Sequence, residues 1–492
     1  MRRLILISVM ALLLAGCAAP VAPASETLTP TLALSPCRLS AAGAPRTLAA
    51  ECGTLFVPED YANPTGTQLG LRIAVLPAVG RVAASDALVL LAGGPGQAAT
   101  DAFIAVLPTL SQANQSRDIV MVDQRGTGGS NRLHCPIPND DPALLNALPN
   151  DPVVQAWLEA CLADLPGDPQ YYTTVNAARD LEAVRLALGY EQFNLLGVSY
   201  GTRLAQTYLR LFPAQTRSLI LDGVVPPDMA VGAAMDADSQ RALDLTFAAC
   251  AEDPACGAAF PDLAGTFAAL LSQLEREPAL VTLDDPFTGL PTEVQLTREA
   301  VASTIFTLSY TPETTALIPL LIARAYHDGD LRPLAAQSLI LGRQNSEMIA
   351  LGLRNAVLCT EDVPHYPVDP VSVGYLGSFI SEVFAAACLV WPQGEVDPAA
   401  RTPLRSEVPT LLLSGERDPV TPPAYADAVA GGLPNSLHLV ARGQGHNVFF
   451  RGCIPGLLAD FLNAGSVAGL EPACVERLDA PPLFTRLTGP TP

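Results

Sequence analysis

Residues 193–211 read FNLLGVSYGTRLAQTYLRL and have the pattern of a strand, a turn and a helix. The apolar run over 193–198 predicts a buried strand, and the apolar spacing over 204–211 predicts a helix that follows it. Between them stands a Gly-x-Ser-x-Gly motif centred on Ser199. Such a motif holds a reactive serine on a tight turn when a strand precedes it and a helix follows. This context favours a nucleophilic serine over a chance match.

Further strands flank this stretch on both sides. The N-terminal half alternates apolar runs with helical patterns, which is typical of a largely parallel sheet covered by helices on both faces. The clearest helix is predicted over 177–188, with Asn176 as its N-cap and Gly189 at its exit. The predicted strands are 71–76, 88–91, 118–122, 193–198 and 218–221, joined late in the chain by 410–413 and 436–440.

From about residue 226 to residue 395 the strand pattern gives way to helical spacing. Because strands resume afterwards, this segment is predicted to be a mainly helical cap inserted into one sheet domain. The predicted fold class is α/β, with a mostly parallel sheet of the α/β-hydrolase type. The predicted organisation is a signal peptide at 1–16, a tether at 17–36, the first part of the core at 37–225, the cap at 226–395 and the rest of the core at 396–492.

A serine hydroxyl is nearly inert at neutral pH until a base removes its proton. His446, in a glycine-rich segment after a late strand, is the candidate base, whereas His438 lies within that strand and is interpreted as a packed or surface residue. Asp418 follows a predicted strand, and the order Ser, Asp, His along the chain is the order that this fold uses. We therefore expect Asp418 to orient the imidazole. Asp222 is a rival for that role, with turn formation as its alternative.

Attack on a carbonyl creates negative charge on its oxygen, which needs backbone donors already in place. The N–H of Tyr200, next to the serine, is one candidate donor. Gly94 is the other, because the GGPG segment at 93–96 follows a strand and lacks the side chains that would keep the backbone away from a substrate. A purely structural turn is the alternative for this segment.

Several segments resemble one family. AGGPG at 92–96 and DQRGTGGS at 123–130 are similar to signatures of prolyl aminopeptidase-type serine peptidases. The exported, cysteine-rich architecture resembles the secreted tripeptidyl aminopeptidase branch, and the likeness extends over most of 50–475. Ala92 stands where prolyl aminopeptidases have His, so a preference for proline is not carried over. The resemblance implies release of residues from the free N-terminus of a peptide, through an acyl-enzyme at Ser199.

An enzyme of that kind must recognise the ammonium group of its substrate, and desolvated carboxylates do this. Glu361 and Asp362, within the predicted cap, are the candidate substrate-binding residues, with solvated loop acids as the alternative reading. The predicted partners are therefore peptides with a free N-terminus, and no cofactor is expected. Two other functions stay open: an esterase with the same three residues, and a non-catalytic binding lipoprotein.

The N-terminus has the pattern of an export signal. Two arginines precede an apolar run, and LAGC at 14–17 resembles the bacterial lipobox, in which cleavage leaves Cys17 as a lipidated N-terminus. The run is too short to span a bilayer as a helix. The protein is thus predicted to be exported and lipid-anchored to the outer face of a bacterial membrane.

Composition excludes several kinds of function. Acidic residues number 49 against 28 basic ones, a formal net charge of −21, whereas a nucleic-acid surface is basic. All the basic residues are arginine, so Schiff-base chemistry, a Ser–Lys dyad and a phosphate-binding P-loop are excluded, since each needs lysine. The five histidines lack the close spacing of a zinc site, and no metal is predicted.

Cysteine positions suggest a disulfide framework. Of the 11 cysteines, ten are left once Cys17 is set aside, an even number for an oxidising compartment. Their positions fall into neighbouring couples, and each couple would close a short surface loop. The expected couples are Cys37 with Cys52, Cys135 with Cys161, Cys250 with Cys256, Cys359 with Cys388 and Cys453 with Cys474.

Overall fold

The computed structural model describes residues 32–40, 47–136, 147–368 and 374–490. The predicted signal peptide and Cys17 lie outside the described residues, as does the predicted tether as far as residue 31. The first described strand begins at Ser35, so the last two residues of the predicted tether belong to a strand. Within the described ranges, no helix has the length and apolar character needed to cross a membrane. The same ranges contain no group of three or more His, Cys, Asp or Glu residues placed to hold a metal ion.

The described residues form eleven strands. In chain order they are β1 (Ser35–Leu39), β2 (Leu48–Pro58), β3 (Gln68–Leu76), β4 (Asp86–Leu91), β5 (Ile119–Val122), β6 (Gln192–Val198), β7 (Thr216–Asp222), β8 (Ala279–Asp284), β9 (Pro291–Leu296), β10 (Thr410–Gly415) and β11 (Ser436–Ala441). Nine of them form one sheet in the order β1-β2-β3-β5-β4-β6-β7-β10-β11, and β8 pairs only with β9.

The large sheet is mixed but mostly parallel. Pairing is parallel from β5 through β4, β6, β7 and β10 to β11, and antiparallel among β1, β2, β3 and β5. This confirms the predicted fold class, and every predicted strand lies in this sheet. The sequence does not predict β1, at the sheet edge, or its neighbour β2, because buried positions in both strands are interrupted by exposed ones and no continuous apolar run results.

Fifteen α-helices are described, with short 3₁₀ turns between them. The helices are α1 (Ala99–Ala102), α2 (Pro152–Ala163), α3 (Thr174–Leu188), α4 (Tyr200–Leu211), α5 (Met235–Glu252), α6 (Pro254–Ala259), α7 (Leu263–Arg276), α8 (Arg298–Leu308), α9 (Pro312–Thr315), α10 (Ile318–His327), α11 (Arg332–Met348), α12 (Leu351–Glu361), α13 (Phe379–Ala387), α14 (Pro423–Ala430) and α15 (Ile454–Ala464). The 3₁₀ turns are Leu107–Ser111, Ala113–Gln115, Pro169–Tyr171, Pro213–Gln215, Val363–His365, Pro398–Arg401 and Pro472–Arg477.

The helix predicted over 177–188 begins earlier than expected. Thr173, not Asn176, is the N-cap of α3, since the Thr173 hydroxyl accepts the N–H of Asn176 at 3.3 Å. Asn176 therefore lies inside the first turn. The exit is as predicted, because Gly189 has φ 77°, a left-handed conformation that favours glycine.

Both faces of the central parallel strands are buried, as a parallel sheet requires. Successive residues of β6 point to opposite faces, so Leu195 belongs to the apolar layer beneath α3 and α4, and Leu196 to the layer beneath α15. This double covering explains why the central strands read as continuous apolar runs. It also leaves the carboxyl ends of the strands, where the loops emerge, as the place for functional side chains.

Between β7 and β10 the chain is mainly helical. Helices α5, α7, α8 and α10 bury a separate apolar core, which includes Leu243, Phe267, Ile305 and Ile322. The hairpin of β8 and β9 also lies in this segment, and the sequence does not predict it. Only Val281 and Leu296 of its residues are buried, so the hairpin lacks the continuous apolar run by which the central strands are recognised.

Disulfides join all ten cysteines of the described residues. The bonded couples are the neighbouring pairs predicted from the sequence, and the prediction is confirmed. They are Cys37–Cys52, Cys135–Cys161, Cys250–Cys256, Cys359–Cys388 and Cys453–Cys474.

Candidate active site

Ser199 lies on the turn between β6 and α4, with φ 55° and ψ −123°. A positive φ is costly for a residue with a side chain and persists where the surroundings enforce it. A Cβ on Gly197 would lie 2.4 Å from the carbonyl oxygen of Gly201, and one on Gly201 would lie 2.2 Å from that of Leu91. The turn therefore requires both glycines of the motif.

His446 and Asp418 form a buried pair at the ends of β11 and β10. Nδ1 of His446 lies 2.7 Å from Oδ2 of Asp418. The other carboxylate oxygen accepts the N–H groups of Val420 and Thr421, each at 2.8 Å, and the Thr421 hydroxyl donates to Oδ2 at 2.8 Å. These bonds hold the carboxylate still. With Nδ1 turned to Asp418, Nε2 is the nitrogen available to accept a proton.

Charge pairing sets the protonation of these two groups. Burial alone would lower the pKa of His446, but the bonded Asp418 carboxylate, and more weakly Asp222, raise that pKa above its ordinary value. Burial disfavours the charged form of Asp418, yet the imidazole and the surrounding donors hold the pKa of its carboxyl below the ordinary value. Asp418 is thus ionised at neutral pH and stabilises the imidazolium that forms when His446 takes up a proton.

Backbone contacts at the end of β7 bring the serine and the imidazole together. The N–H of Ser199 donates to the carbonyl oxygen of Asp222 at 2.8 Å. At the next residue, Gly223, a Cβ would lie 3.0 Å from Cε1 of His446. Ser199 and His446 thus flank the same two residues. With Asp418 they are the predicted Ser-His-Asp triad, and their catalytic roles stay a prediction.

The glycine loop after β4 lies against the nucleophile. A Cβ on Gly93 would lie 3.0 Å from Cβ of Ser199, so the next residue, Gly94, is also at this site. Tyr200 is the first residue of α4, and an N–H in the first turn of a helix is not used by the helix's own hydrogen bonds. The structure brings both predicted donors beside Ser199, and their role in binding an oxyanion stays a prediction.

Glu361 and Asp362 lie at the end of α12 and are buried rather than solvated. Both oxygens of Asp362 accept from Nη1 of Arg203, at 2.9 and 3.1 Å, and Oδ1 also accepts the N–H of Val231 at 2.8 Å. Glu361 accepts the N–H and the hydroxyl of Thr174, at 2.7 and 2.6 Å. The nearest oxygen of Glu361 is 3.9 Å from Nη1 of Arg203. Both carboxylates therefore already have protein partners.

This network reaches the residue beside the nucleophile. The hydroxyls of Thr174 and Tyr200 lie 2.8 Å apart, so Glu361 is connected to the Tyr200 side chain through Thr174. Burial raises the pKa of Glu361, although Arg203 and Thr174 act against that rise. The structure thus places Glu361 close to the site, and its substrate role stays a prediction.

Two residues of the helical segment hold the His446 and Asp418 loops, and sequence reasoning does not identify either. The carbonyl oxygen of Tyr310 accepts the N–H of His446 at 2.7 Å, and the two rings meet edge to face with centroids 5.3 Å apart. Arg241 of α5 donates to the carbonyl oxygens of Glu416 and Asp418, each at 3.0 Å. Neither residue stands in a motif, so only the folded chain shows these contacts.

A second set of serine, histidine and aspartate is formed by Ser414 of β10, His438 of β11 and Asp427 of α14. Nε2 of His438 is 2.9 Å from Oγ of Ser414, and Nδ1 is 2.8 Å from Oδ1 of Asp427. Ser414 is 0% exposed, so its hydroxyl is out of reach of a substrate, whereas Ser199 is partly exposed. Hydrogen-bond geometry alone therefore does not make Ser414 a nucleophile, and His438 has a structural role.

The chain is similar in sequence to known families and to several known proteins. Residues 86–282 match a family model described as alpha/beta hydrolase fold, and residues 373–474 match one described as TAP-like protein. The chain is 28% identical over 508 residues to the serine protease Hip1 of Mycobacterium tuberculosis, with 94% of this chain and 95% of that protein covered.

Two further relatives differ in their named activities. The chain is 35% identical over 195 residues to the tripeptidyl aminopeptidase of Streptomyces coelicolor, covering 36% of this chain and 35% of that protein. It is 28% identical over 503 residues to carboxylesterase B of Mycobacterium tuberculosis, covering 92% of this chain and 91% of that protein. The resemblance inferred from the AGGPG and DQRGTGGS segments is confirmed.

Proposed function

We propose that this serine hydrolase of the α/β-hydrolase fold is an aminopeptidase that releases short fragments from the free N-terminus of peptides. One observation carries the proposal: Ser199 is held at positive φ beside a buried His446–Asp418 pair, in a chain similar over 94% of its length to a serine protease. Similarity over 195 residues to a tripeptidyl aminopeptidase supports fragments of a few residues.

In the proposed reaction, Nε2 of His446 takes the hydroxyl proton of Ser199 as Oγ attacks the carbonyl carbon of the scissile peptide bond. The N–H groups of Gly94 and Tyr200 stabilise the oxygen that gains the electron pair. The C–N bond then breaks, and the leaving amine takes the proton from His446, which leaves an acyl ester on Ser199. Water repeats the sequence, so the N-terminal fragment leaves as a carboxylic acid and the serine is restored.

Glu361 is the residue proposed to bind the ammonium group of the substrate. Arg203 binds both oxygens of Asp362 at close range but lies 3.9 Å from Glu361. Arg203 therefore neutralises the charge of Glu361 less completely than that of Asp362, and Glu361 can bind a second cation. A buried carboxylate forms a charge-assisted hydrogen bond with an ammonium group. Such a bond would also offset the effect of burial, which raises the pKa of Glu361.

The test compares three substrates: a peptide with a free N-terminus, the same peptide acetylated, and a simple acyl ester. Acetylation removes the ammonium charge, which costs about 1.5–3 kcal/mol, or one to two orders of magnitude in kcat/KM. Glu361→Gln should shrink the difference between the two peptides. Glu299→Gln is the matched control, because Glu299 is a partly exposed carboxylate of the helical segment. This variant should leave the difference in kcat/KM between the two peptides unchanged. Equal cleavage of free and acetylated peptides contradicts the aminopeptidase proposal.

An esterase is the second candidate, because the chain is also similar over 92% of its length to a carboxylesterase. The same triad hydrolyses an ester by the same steps, with an alcohol in place of the amine as leaving group. An esterase would turn over the simple ester well and both peptides poorly. This outcome would assign the substrate class without changing the roles proposed for Ser199, His446 and Asp418.

We further propose that the protein is exported and held by a lipid on Cys17 at the outer face of a bacterial membrane. The five disulfides support an oxidising compartment, and the LAGC sequence supports the attachment site. Cys17→Ser should move the protein from the membrane fraction to the soluble fraction. Unchanged membrane association of that variant, or an unmodified residue 17 in the mature wild type, contradicts the anchor.

A further inference from the structure

Asp222 contacts both the nucleophile and the loop of the base. It is the last residue of β7, and its carbonyl oxygen accepts the N–H of Ser199 at 2.8 Å. Its carboxylate oxygen Oδ2 accepts the N–H groups of Val448 and Phe449, at 2.7 and 2.8 Å. These two residues follow His446 almost directly. One residue therefore ties the turn that presents the serine to the loop that presents the imidazole.

The geometry distinguishes Asp222 from the acid of the triad. Nδ1 of His446 is already bonded to Asp418, and the bonds of Asp222 go to backbone N–H groups. Its side chain is fully buried, and Oδ1 has no hydrogen-bond partner within the described part of the chain. Asp222 is thus a second carboxylate at the site, with one oxygen engaged in holding the loop.

The charged groups that act on Asp222 are those of the triad. Burial raises the pKa of the Asp222 carboxyl to about 7, with His446 and the two N–H donors acting to lower it and Asp418 to raise it. In the reverse direction, Asp222 adds to the influence of Asp418 in raising the pKa of His446. The carboxylate of Asp222 and the imidazole therefore favour each other's charged forms, and Asp222 supplies its charge mainly above the pKa of about 7, where its carboxyl is ionised.

We propose that Asp222 is a positioning residue that holds the His446 loop against the turn of Ser199, and that its negative charge stabilises the imidazolium formed when His446 takes the serine proton. The first role needs an oxygen acceptor at this position, and the second needs a charge. Asparagine supplies the acceptor without the charge, and alanine supplies neither. The two substitutions therefore separate the two roles.

The test measures two rates against pH for each variant: hydrolysis of a simple acyl ester, and labelling of Ser199 by a fluorophosphonate. Neither rate depends on a peptide substrate, so failure here is distinct from failure of the aminopeptidase proposal. Asp86→Asn is the matched control. Asp86 is a buried carboxylate bonded to Arg117 and Asn194 at the opposite end of the parallel strands, and its loss should leave the pH midpoint unchanged.

For Asp222→Ala we expect kcat to fall about 10- to 100-fold with KM little changed, since two charge-assisted bonds to the loop are lost. For Asp222→Asn we expect a fall of less than about tenfold and a shift of the acid-side midpoint to lower pH, because the charge that favours the imidazolium is gone. An Asp222→Ala enzyme as active as wild type overturns the positioning role. An unshifted midpoint in Asp222→Asn overturns the charge role, and this variant decides it even if the alanine variant does not fold.

Discussion

Oγ1 of Thr421 lies 2.8 Å from Oδ2 of Asp418, the same carboxylate oxygen that is bonded to the imidazole of His446. The Thr421 hydroxyl is also 3.2 Å from Nδ1 of His446. Since Nδ1 turns its hydrogen to Asp418, the hydroxyl donates to the carboxylate and packs beside the ring. Thr421 therefore helps to fix the rotamer of Asp418, and through it the orientation of the base.

Replacing Thr421 by valine keeps the shape and removes the donor. A buried carboxylate oxygen that loses one of its donors costs about 1–3 kcal/mol, so kcat/KM should fall by about 5- to 100-fold. Thr421→Ser retains the hydroxyl and is the control. Steady-state kinetics on one substrate suffice, and equal rates for the valine and serine variants would show that this hydroxyl has no part in catalysis.

The triad should behave as a unit under mutation. Ser199→Ala or His446→Ala should each lower kcat by about 10⁴- to 10⁶-fold, and the double variant should be scarcely slower than either. Asp418→Asn should cost about 10³- to 10⁴-fold, because an amide does not hold the tautomer that the base needs. Near-normal turnover in Asp418→Asn with a collapse in Asp222→Asn would transfer the role of the acid to Asp222.

The pH profile should report the raised pKa of His446. Only neutral imidazole can accept the Ser199 proton, so kcat/KM falls as pH drops through this pKa. Asp418 and Asp222 raise it, which places the acid-side midpoint above the ordinary value of 6.5. In Asp418→Asn the residual activity should have a lower midpoint. A wild-type midpoint at or below 6.5 contradicts this account of the electrostatics.

Stability should depend on pH through Asp222. Its pKa is raised from 3.8 to about 7 in the folded chain, so between these values the folded state holds a proton that the unfolded state has lost. The contribution of this group to the free energy of unfolding therefore falls as pH rises through that window. Asp222→Asn lacks this dependence. In urea unfolding, the free energy of unfolding of Asp222→Asn should rise relative to that of wild type from about pH 4 to about pH 7. A difference that stays constant over this range would contradict the raised pKa of Asp222.

The sequence predicts the parts of this site that depend on local structure. The Ser199 turn, the glycine loop and Asp418 are recognisable because each follows a buried strand with a continuous apolar run. His446 follows the partly buried edge strand β11 and is recognised by its glycine-rich segment and by the order Ser, Asp, His. The positions of Asp418 and His446 then follow, since parallel strands bring their carboxyl ends to one edge of the sheet.

Contacts between segments that are far apart in the sequence cannot be predicted from local patterns. Tyr310 and Arg241 are ordinary residues of the helical segment, and only the docking of that segment brings them to the His446 and Asp418 loops. The sequence predicts Glu361 and Asp362 as substrate-binding residues, with solvated loop acids as the alternative, but it does not show that they end a buried helix beside Arg203. Neighbouring cysteines are simpler to pair, because each couple closes a short loop within one region of the chain.

In the proposed reaction His446 activates Ser199 as the nucleophile, and covalent labelling reports on both residues. The intact protein is treated with a fluorophosphonate, and the modified residue is located by peptide mass mapping. We predict one label per chain, on Ser199, and almost none in His446→Ala. A label on Ser414, which has its own histidine and aspartate neighbours, or on another residue while Ser199 is unmodified, would show that Ser199 is not the nucleophile.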